Sequence, residues 1–217
     1  MAKNQSTEDY IKGVYKLQQR NKSVTTSALA KYLHIRDGSV TGMVKKLSTR
    51  KLVQYTPYKG VALTESGKRL ALQMVRRHRL WEMFLVQFLG YTWDEIHDEA
   101  ERLEHVTSEE MERRLDKTLG YPKFDPHGDP IPTKRGELDG TMPASLAEFD
   151  AGDTVRILRV TDDPEVLQHA TKLGLRLNTK VTVKKKLTID GSMELKVGAR
   201  EHFISRQVAN AIFVERI

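Results

Sequence analysis

Apolar residues recur at helical spacing through the first fifty positions. Ile11, Val14, Tyr15 and Leu17 share one face of a stretch from residue 7 to 20, with Thr7 as the expected N-cap and Glu8 and Asp9 at the positive end of the helix. A second, short helix is predicted in TTSALAKYLHI, with Leu29, Ala30 and Leu33 on one side. The turn RDGS leads to SVTGMVKKLSTRKLV, where Val40, Met43, Val44 and Leu47 leave Lys45, Lys46, Arg50 and Lys51 for the opposite face. Two short helices joined by a tight turn, the second one basic, form the helix-turn-helix pattern. Behind it, Val53–Tyr55 and Val61–Leu63 flank TPYKG, a hairpin placed as the wing of a winged helix.

A long helix is predicted from Thr64 to about Leu89, then an acidic helix from an N-cap at Thr92 through His105, and a third from Ser108 to Gly120. Residues 121–150 hold five of the seven prolines and few apolar residues, which marks a domain boundary. Past it, DTVRILRV, KVTVKKKLTI, MELKVG and AIFVERI alternate as strands around a brief helix near 166–173, the pattern of a small SH3-type β-barrel. The expected class is mainly α with small β parts. Its domains are 1–72 (winged helix-turn-helix), 73–141 (helical) and 142–217 (β).

Charge sharpens this division. The net charge of +7 conceals +13 in residues 1–80 and −10 in residues 81–150, with +4 in the remainder. A basic module followed by an acidic one points to nucleic acid at one end and a cation-collecting region behind it. No apolar run is long enough to span a membrane and the polar start is unlike a signal peptide, so a cytoplasmic protein without a membrane partner is expected. The absence of cysteine removes thiolate metal sites and cysteine nucleophiles, so any metal is held by nitrogen and oxygen.

The acidic module and the end of the stretch before it carry such donors. His78 and Glu82 are i,i+4, as are His97 and Glu101, and Glu101, Glu104 and His105 share one helix face. A single histidine among acids is ordinarily a surface ion pair. Two such faces on successive helices favour a metal, with Asp9 adding an oxygen if the first helix packs on the others. A sulfur-free set suits Mn(II) or Fe(II), and Zn(II) also binds such ligands. In the recognition helix Ser39, Thr41 and Gly42 are small, which limits base readout to a few contacts, while Arg36, Lys45, Lys46 and Lys59 are placed for phosphates. The plain alternative for the lysines is solubility.

The segments STEDYIKGVYKL, GSVTGMVKKL, YKGVALTESGKRLA, RRHRLWEMFL, HDEAERLEHVTSEEMERRLD and PHGDPIP, in this order, resemble the diphtheria-toxin-repressor family of metal-dependent transcriptional repressors over nearly the whole chain. The resemblance implies a winged-helix DNA-binding domain, a helical metal-binding and dimerisation domain, and an SH3-like domain similar to FeoA. It implies a homodimer on double-stranded, palindromic operator DNA. It also implies a primary metal site at Asp9, Glu101, Glu104 and His105, and an ancillary site at His78, Glu82 and His97 completed by Asp163, Glu165 or His169. Iron-sensing members carry Cys and Met where this chain has Glu101 and Asp9, so the oxygen pair resembles the manganese sensors. Two-domain manganese sensors have a second acid one turn after the aspartate, where this chain has Lys12, which favours two separated sites.

Mn(II) is therefore the expected effector, Fe(II) the second and Zn(II) the third. Without metal, Asp9, Glu101 and Glu104 are expected to repel one another. An enzyme is not expected, because neither HExxH nor a pair of Glu-x-x-His helices is present; a non-haem metalloenzyme is the remote alternative.

Overall fold

The computed structural model describes residues 2–19, 23–57, 59–138 and 143–217, with side chains from Thr7 onward. The chain divides into two compact units. The first comprises Met1–Trp81, Ala100–Tyr121 and Ile131–Asp139, the second Glu82–Glu99, Pro122–Pro130 and Gly140–Ile217. The boundary expected between residues 141 and 142 lies outside the described residues.

In the first unit α1 (Ala2–Gln18) starts a full turn and more before the expected cap. Nothing in KNQS breaks a helix, so Thr7 becomes an interior residue, buried, with its hydroxyl accepting from Arg50 Nη1 at 3.4 Å. Helix α2 (Thr26–Tyr32) is capped by the Thr25 hydroxyl, which accepts from Ala28 N, and α3 (Asp37–Thr49) follows. Ser27 Oγ donates to Asp37 Oδ2 at 3.0 Å, joining the start of α2 to the start of α3. Tyr10, Ile11, Val14, Leu29, Val40, Val44 and Leu47 form one core, so all three helices bury the faces their periodicity marks. Strands β1 (Val53–Thr56) and β2 (Gly60–Leu63) form the antiparallel wing, with Val53 opposite Leu63. Gly60, at φ 103°, lies against the Val24 carbonyl, where a Cβ would collide.

Helix α4 (Glu65–Leu89) leads from the first unit into the second, and α5 (His97–Glu104) leads back. The cap expected at Thr92 does not form. Thr92 Oγ1 donates to the Glu95 carboxylate instead, and the helix begins five residues later, after the buried Ile96. Helix α6 (Glu109–Thr118) is capped by Ser108, and Gly120 ends its C-terminal turn at φ 73°. Within the first unit, Arg76 donates from Nε to Glu112 at 2.9 Å and from Nη1 to the Pro132 carbonyl at 2.8 Å, and its Nη2 lies 2.6 Å from Asp116. The Trp81 indole donates to Thr107 Oγ1 at 2.7 Å.

The second unit is built on a six-stranded antiparallel sheet of β3 (Ala144–Ser145), β4 (Thr154–Val160), β5 (Lys180–Lys186), β6 (Met193–Val197), β7 (Arg200–Ile204) and β8 (Ile212–Arg216), in the order β3-β8-β4-β5-β6-β7. Helices α7 (Pro164–Leu173) and α8 (Arg206–Asn210) complete it. Ile157, Val181, Val183, Leu195, Ile212 and Val214 are its core, and Trp93 packs against that core. The barrel expected from the sequence is not closed: among the described residues β3 and β7 are edges, and β3 has only two residues to carry a ladder. Strand β7 has no legible alternation, since REHFI buries only its last residue fully. Among the described residues, no helix is long and apolar enough to cross a membrane.

Candidate metal centres and nucleic-acid face

Among the described residues, nitrogen and oxygen donors gather in each unit. In the first, Asp9 of α1 meets Glu101 and Glu104 of α5 and His105 just beyond it. One ligand atom each from Asp9, Glu101 and His105 lies within 4.8 Å of the others. Glu104 Oε1 lies 3.7 Å from His105 Nε2, so the four residues expected for a primary site are neighbours.

Two further residues of α1 stand with them. Glu8 Oε2 is 2.9 Å from His105 Nδ1, and Asp9 Oδ1 is 2.8 Å from Nε2. Facing a carboxylate on each nitrogen, the ring is held protonated, its pKa pushed up to about 9 chiefly by the Asp9 bond against the opposing effect of burial. Lys12 is the second neighbour. Its ammonium donates to Glu101 Oε2 at 2.6 Å and to the two oxygens of Glu104 at 2.8 and 2.6 Å. Glu104 is fully buried and Lys12 nearly so, at 3% exposure. The repulsion expected among bare carboxylates is therefore offset by two side-chain cations. His78 Nδ1 lies 2.6 Å from Glu104 Oε2, which puts the proton on Nδ1 because an ionised carboxylate only accepts. Burial, and then the Lys12 charge, lower its pKa to about 4, so the ring is neutral.

In the second unit, Glu82 near the end of α4 and His97 at the start of α5 meet Asp162, with His97 Nδ1 3.2 Å from Asp162 Oδ2 and 3.9 Å from Glu82 Oε1. Glu82, Asp125 and His127 also offer ligand atoms within 4.8 Å of one another, all three buried. His127 Nε2 donates to the Trp93 carbonyl at 2.7 Å. That bond leaves Nδ1 as the acceptor nitrogen, buried and without a hydrogen-bond partner. A ring fixed by a backbone carbonyl on one nitrogen and turned to carboxylates with the other is how metal-ligating histidines are oriented. Burial opposes charging His127, but Glu82, Asp125 and Asp162 together raise its pKa.

The loop around His127 is built to hold it. Asp125 Oδ1 accepts from His127 N and Asp129 N, both at 2.9 Å, and Val160 N donates to the His127 carbonyl. Gly128, at φ 87°, passes so near the Leu158 carbonyl that no other residue fits. The Trp93 indole donates to Thr171 Oγ1 of α7 at 2.7 Å, and its ring centroid lies 5.9 Å from that of His127.

Of the ancillary candidates, Glu82 and His97 belong to this cluster, and His78 lies one turn before Glu82 on α4 with its Nδ1, but not its Nε2, taken up by Glu104. Asp163 is the N-cap of α7, its Oδ1 accepting from Glu165 N and Val166 N, and Glu165 and His169 are exposed. Asp162 stands where Asp163 was expected. An aspartate before a proline at the first helical position is a capping signal, and reading Asp163-Pro164 that way points to Asp162 as the donor. Asp125 and His127 had a signal too, the polar residues of FDPHGD held between prolines.

On the nucleic-acid face, Arg36, Ser39, Gly42, Lys45 and Lys46 are exposed, Thr41 is half-buried and Lys59 is exposed on the wing. Arg36 is the N-cap residue of α3, and space is open beside Gly42.

Comparison with known proteins bears on both clusters and on this face. Residues 4–61 match the N-terminal DNA binding domain of the iron dependent repressors, residues 64–133 their metal binding and dimerisation domain, and residues 144–216 the FeoA domain. The chain is 30% identical to the iron-dependent repressor IdeR of Mycobacterium bovis, over 98% of this chain and 97% of that protein. Among solved structures, a manganese-dependent transcriptional repressor in complex with manganese superposes with a TM-score of 0.88 at 36% identity, covering 97% of this chain and all of the other. The manganese regulator SloR does so with 0.82 at 32%, covering 97% and 98%.

Proposed function

Because the chain belongs to the iron dependent repressor family, a family of metal-dependent transcriptional repressors and not of enzymes, we propose that it is a manganese-responsive repressor of metal-uptake genes, binding a palindromic operator as a homodimer. The observation that carries this reading is the meeting of Asp9 with Glu101, Glu104 and His105. It joins α1, which packs in the core of the helix-turn-helix, to α5.

The donors fit a divalent ion. Both clusters contain only carboxylate and imidazole groups, the set that suits Mn(II), with Fe(II) second and Zn(II) third. In the second cluster the partnerless Nδ1 of His127 is a lone pair held for a ligand. A bound divalent ion supplies concentrated positive charge that the surrounding carboxylates share. Asp9, Glu101, Glu104 and a deprotonated His105 would hold it in the first cluster, and Glu82, His97, Asp125, His127 and Asp162 in the second. His105 must give up its proton to ligate. Asp9 would hold the ion from α1 while Glu101, Glu104 and His105 would hold it from α5 and its end, and that link is how the first cluster would bias the helix-turn-helix toward its DNA-binding arrangement.

On DNA, Ser39, Thr41 and Gly42 would meet base edges, while Arg36, Lys45, Lys46 and Lys59 meet phosphates. We assign DNA binding to 1–72, metal binding and dimerisation to 73–141 and the SH3-like module to 142–217, in a cytoplasmic regulator. The alternative, a response to Fe(II), is favoured by the relatives named iron-dependent. Fluorescence anisotropy on operator DNA with Mn(II), Fe(II) and Zn(II) in turn separates the two. An affinity indifferent to every metal and to chelator would sink both.

A further inference from the structure

Lysine is almost never fully buried unless it is paired, and Lys12 is paired with the groups expected to take a metal. Its ammonium lies within hydrogen-bond distance of Glu101 and of both oxygens of Glu104, and 3.3 Å from His78 Nδ1. His78, Glu101 and Glu104 are themselves a trio whose ligand atoms fall within 4.8 Å of one another. The ammonium therefore lies against all three members of a second donor set, adjoining Asp9, Glu101 and His105 and sharing Glu101 with it. Lys12 and Asp9 are one turn apart on α1, so a single helix delivers both a ligand and a competing cation to the same carboxylates.

We infer that Lys12 is an affinity-setting residue, a resident cation that holds Glu101 and Glu104 in the absence of metal and that an incoming divalent ion must compete with. This rests on the reading of the first cluster as a metal site. Two physical effects follow from the contacts. A cation fixed beside the cluster repels a second cation and occupies carboxylate lone pairs, so it weakens metal binding. The same ammonium compensates a fully buried carboxylate, so without it the metal-free protein carries an uncompensated buried charge. Lys12 thus lowers affinity and raises metal-free stability at once. A residue that merely shaped the pocket would move the two in the same direction.

The experiment uses the full-length chain carrying Glu82→Gln, to silence the second cluster, with and without Lys12→Met. Free Mn(II) is measured by electron paramagnetic resonance during titration, and melting is followed with and without Mn(II). Lys12→Met is expected to tighten Mn(II) binding about tenfold or more. It should also lower the metal-free melting temperature by roughly 5–15 °C, with saturating Mn(II) recovering most of that loss. Lys12→Gln, shorter and polar, is expected to shift both in the same sense and serves if the Met variant does not fold. Unchanged or weaker Mn(II) binding in a folded neutral variant would overturn the inference while leaving the metal site itself intact. Absence of Mn(II) binding in the parent, with Lys12 present and the chain folded, would overturn both.

Discussion

The two donor clusters solve the same electrostatic problem differently. In the first, four carboxylates face two internal cations, the Lys12 ammonium and the His105 imidazolium, so part of the negative charge is compensated before any metal arrives. In the second, Glu82, Asp125 and Asp162 surround histidines, and His127 keeps one ring nitrogen without a partner. The first is already closed on itself by ion pairs that a metal must replace. The second is held by backbone, through Trp93, Asp129 and Val160, and asks little rearrangement of its ligands. On the proposed reading, filling the first would be the event with structural consequences, and filling the second would be chiefly stabilising.

The sharpest test of that contrast removes one ligand from each. Glu104→Gln is expected to abolish the metal enhancement of operator affinity, a factor of about 5–150 for a coupling of ordinary size, read by anisotropy. His127→Ala should leave most of that enhancement but lose much of the Mn(II)-dependent rise in stability, about 2.7 kcal/mol for a single site at one hundred times its Kd, read by calorimetry. If His127→Ala silences the operator response and Glu104→Gln does not, the assignment of roles is reversed.

Neighbouring aspartates sharpen the second cluster further. Asp162→Ala should weaken Mn(II) binding there, whereas Asp163→Ala should leave it unchanged and lower stability by about 1 kcal/mol through loss of the α7 cap. Equal metal affinities for the two variants would break the distinction.

A smaller effect is expected from pH. The raised pKa of His105 means that the folded, metal-free protein keeps a proton which the unfolded chain gives up nearer 6.5. Its contribution to stability is complete below that value and fades as pH climbs toward about 9. His78 acts oppositely, with its pKa lowered to about 4, so stability from that ring falls as pH drops from 6.5 toward 4. Melting in EDTA across pH 4–9, for the parent and for His105→Gln, resolves the two. A parent and variant with the same profile above pH 7 would contradict the His105 assignment.

Much of this was legible in the sequence because it was local. The helix-turn-helix followed from apolar periodicity, and the Glu101-Glu104-His105 face from spacing on one helix. What escaped depended on contacts distant in the chain. Thr7 and Thr92 carry capping side chains but lost to their surroundings, one to an upstream stretch that continues the helix, the other to the Glu95 carboxylate. The sequence marks Lys12 only as standing where the two-domain manganese sensors have an acid, and the approach of α5 to α1 makes it a buried counter-ion. His127 lies in a proline-flanked loop with no periodicity to mark which way its ring faces.

The chain contains two tryptophans, and each unit has one. Trp81 donates to Thr107, two residues beyond His105 of the first cluster, and Trp93 stands beside His127 of the second. Mn(II) is paramagnetic and quenches nearby indole emission, so the molecule carries an intrinsic optical reporter for each cluster. Single-tryptophan variants turn the order in which the two sites fill into something to be watched in a fluorimeter, without an added dye.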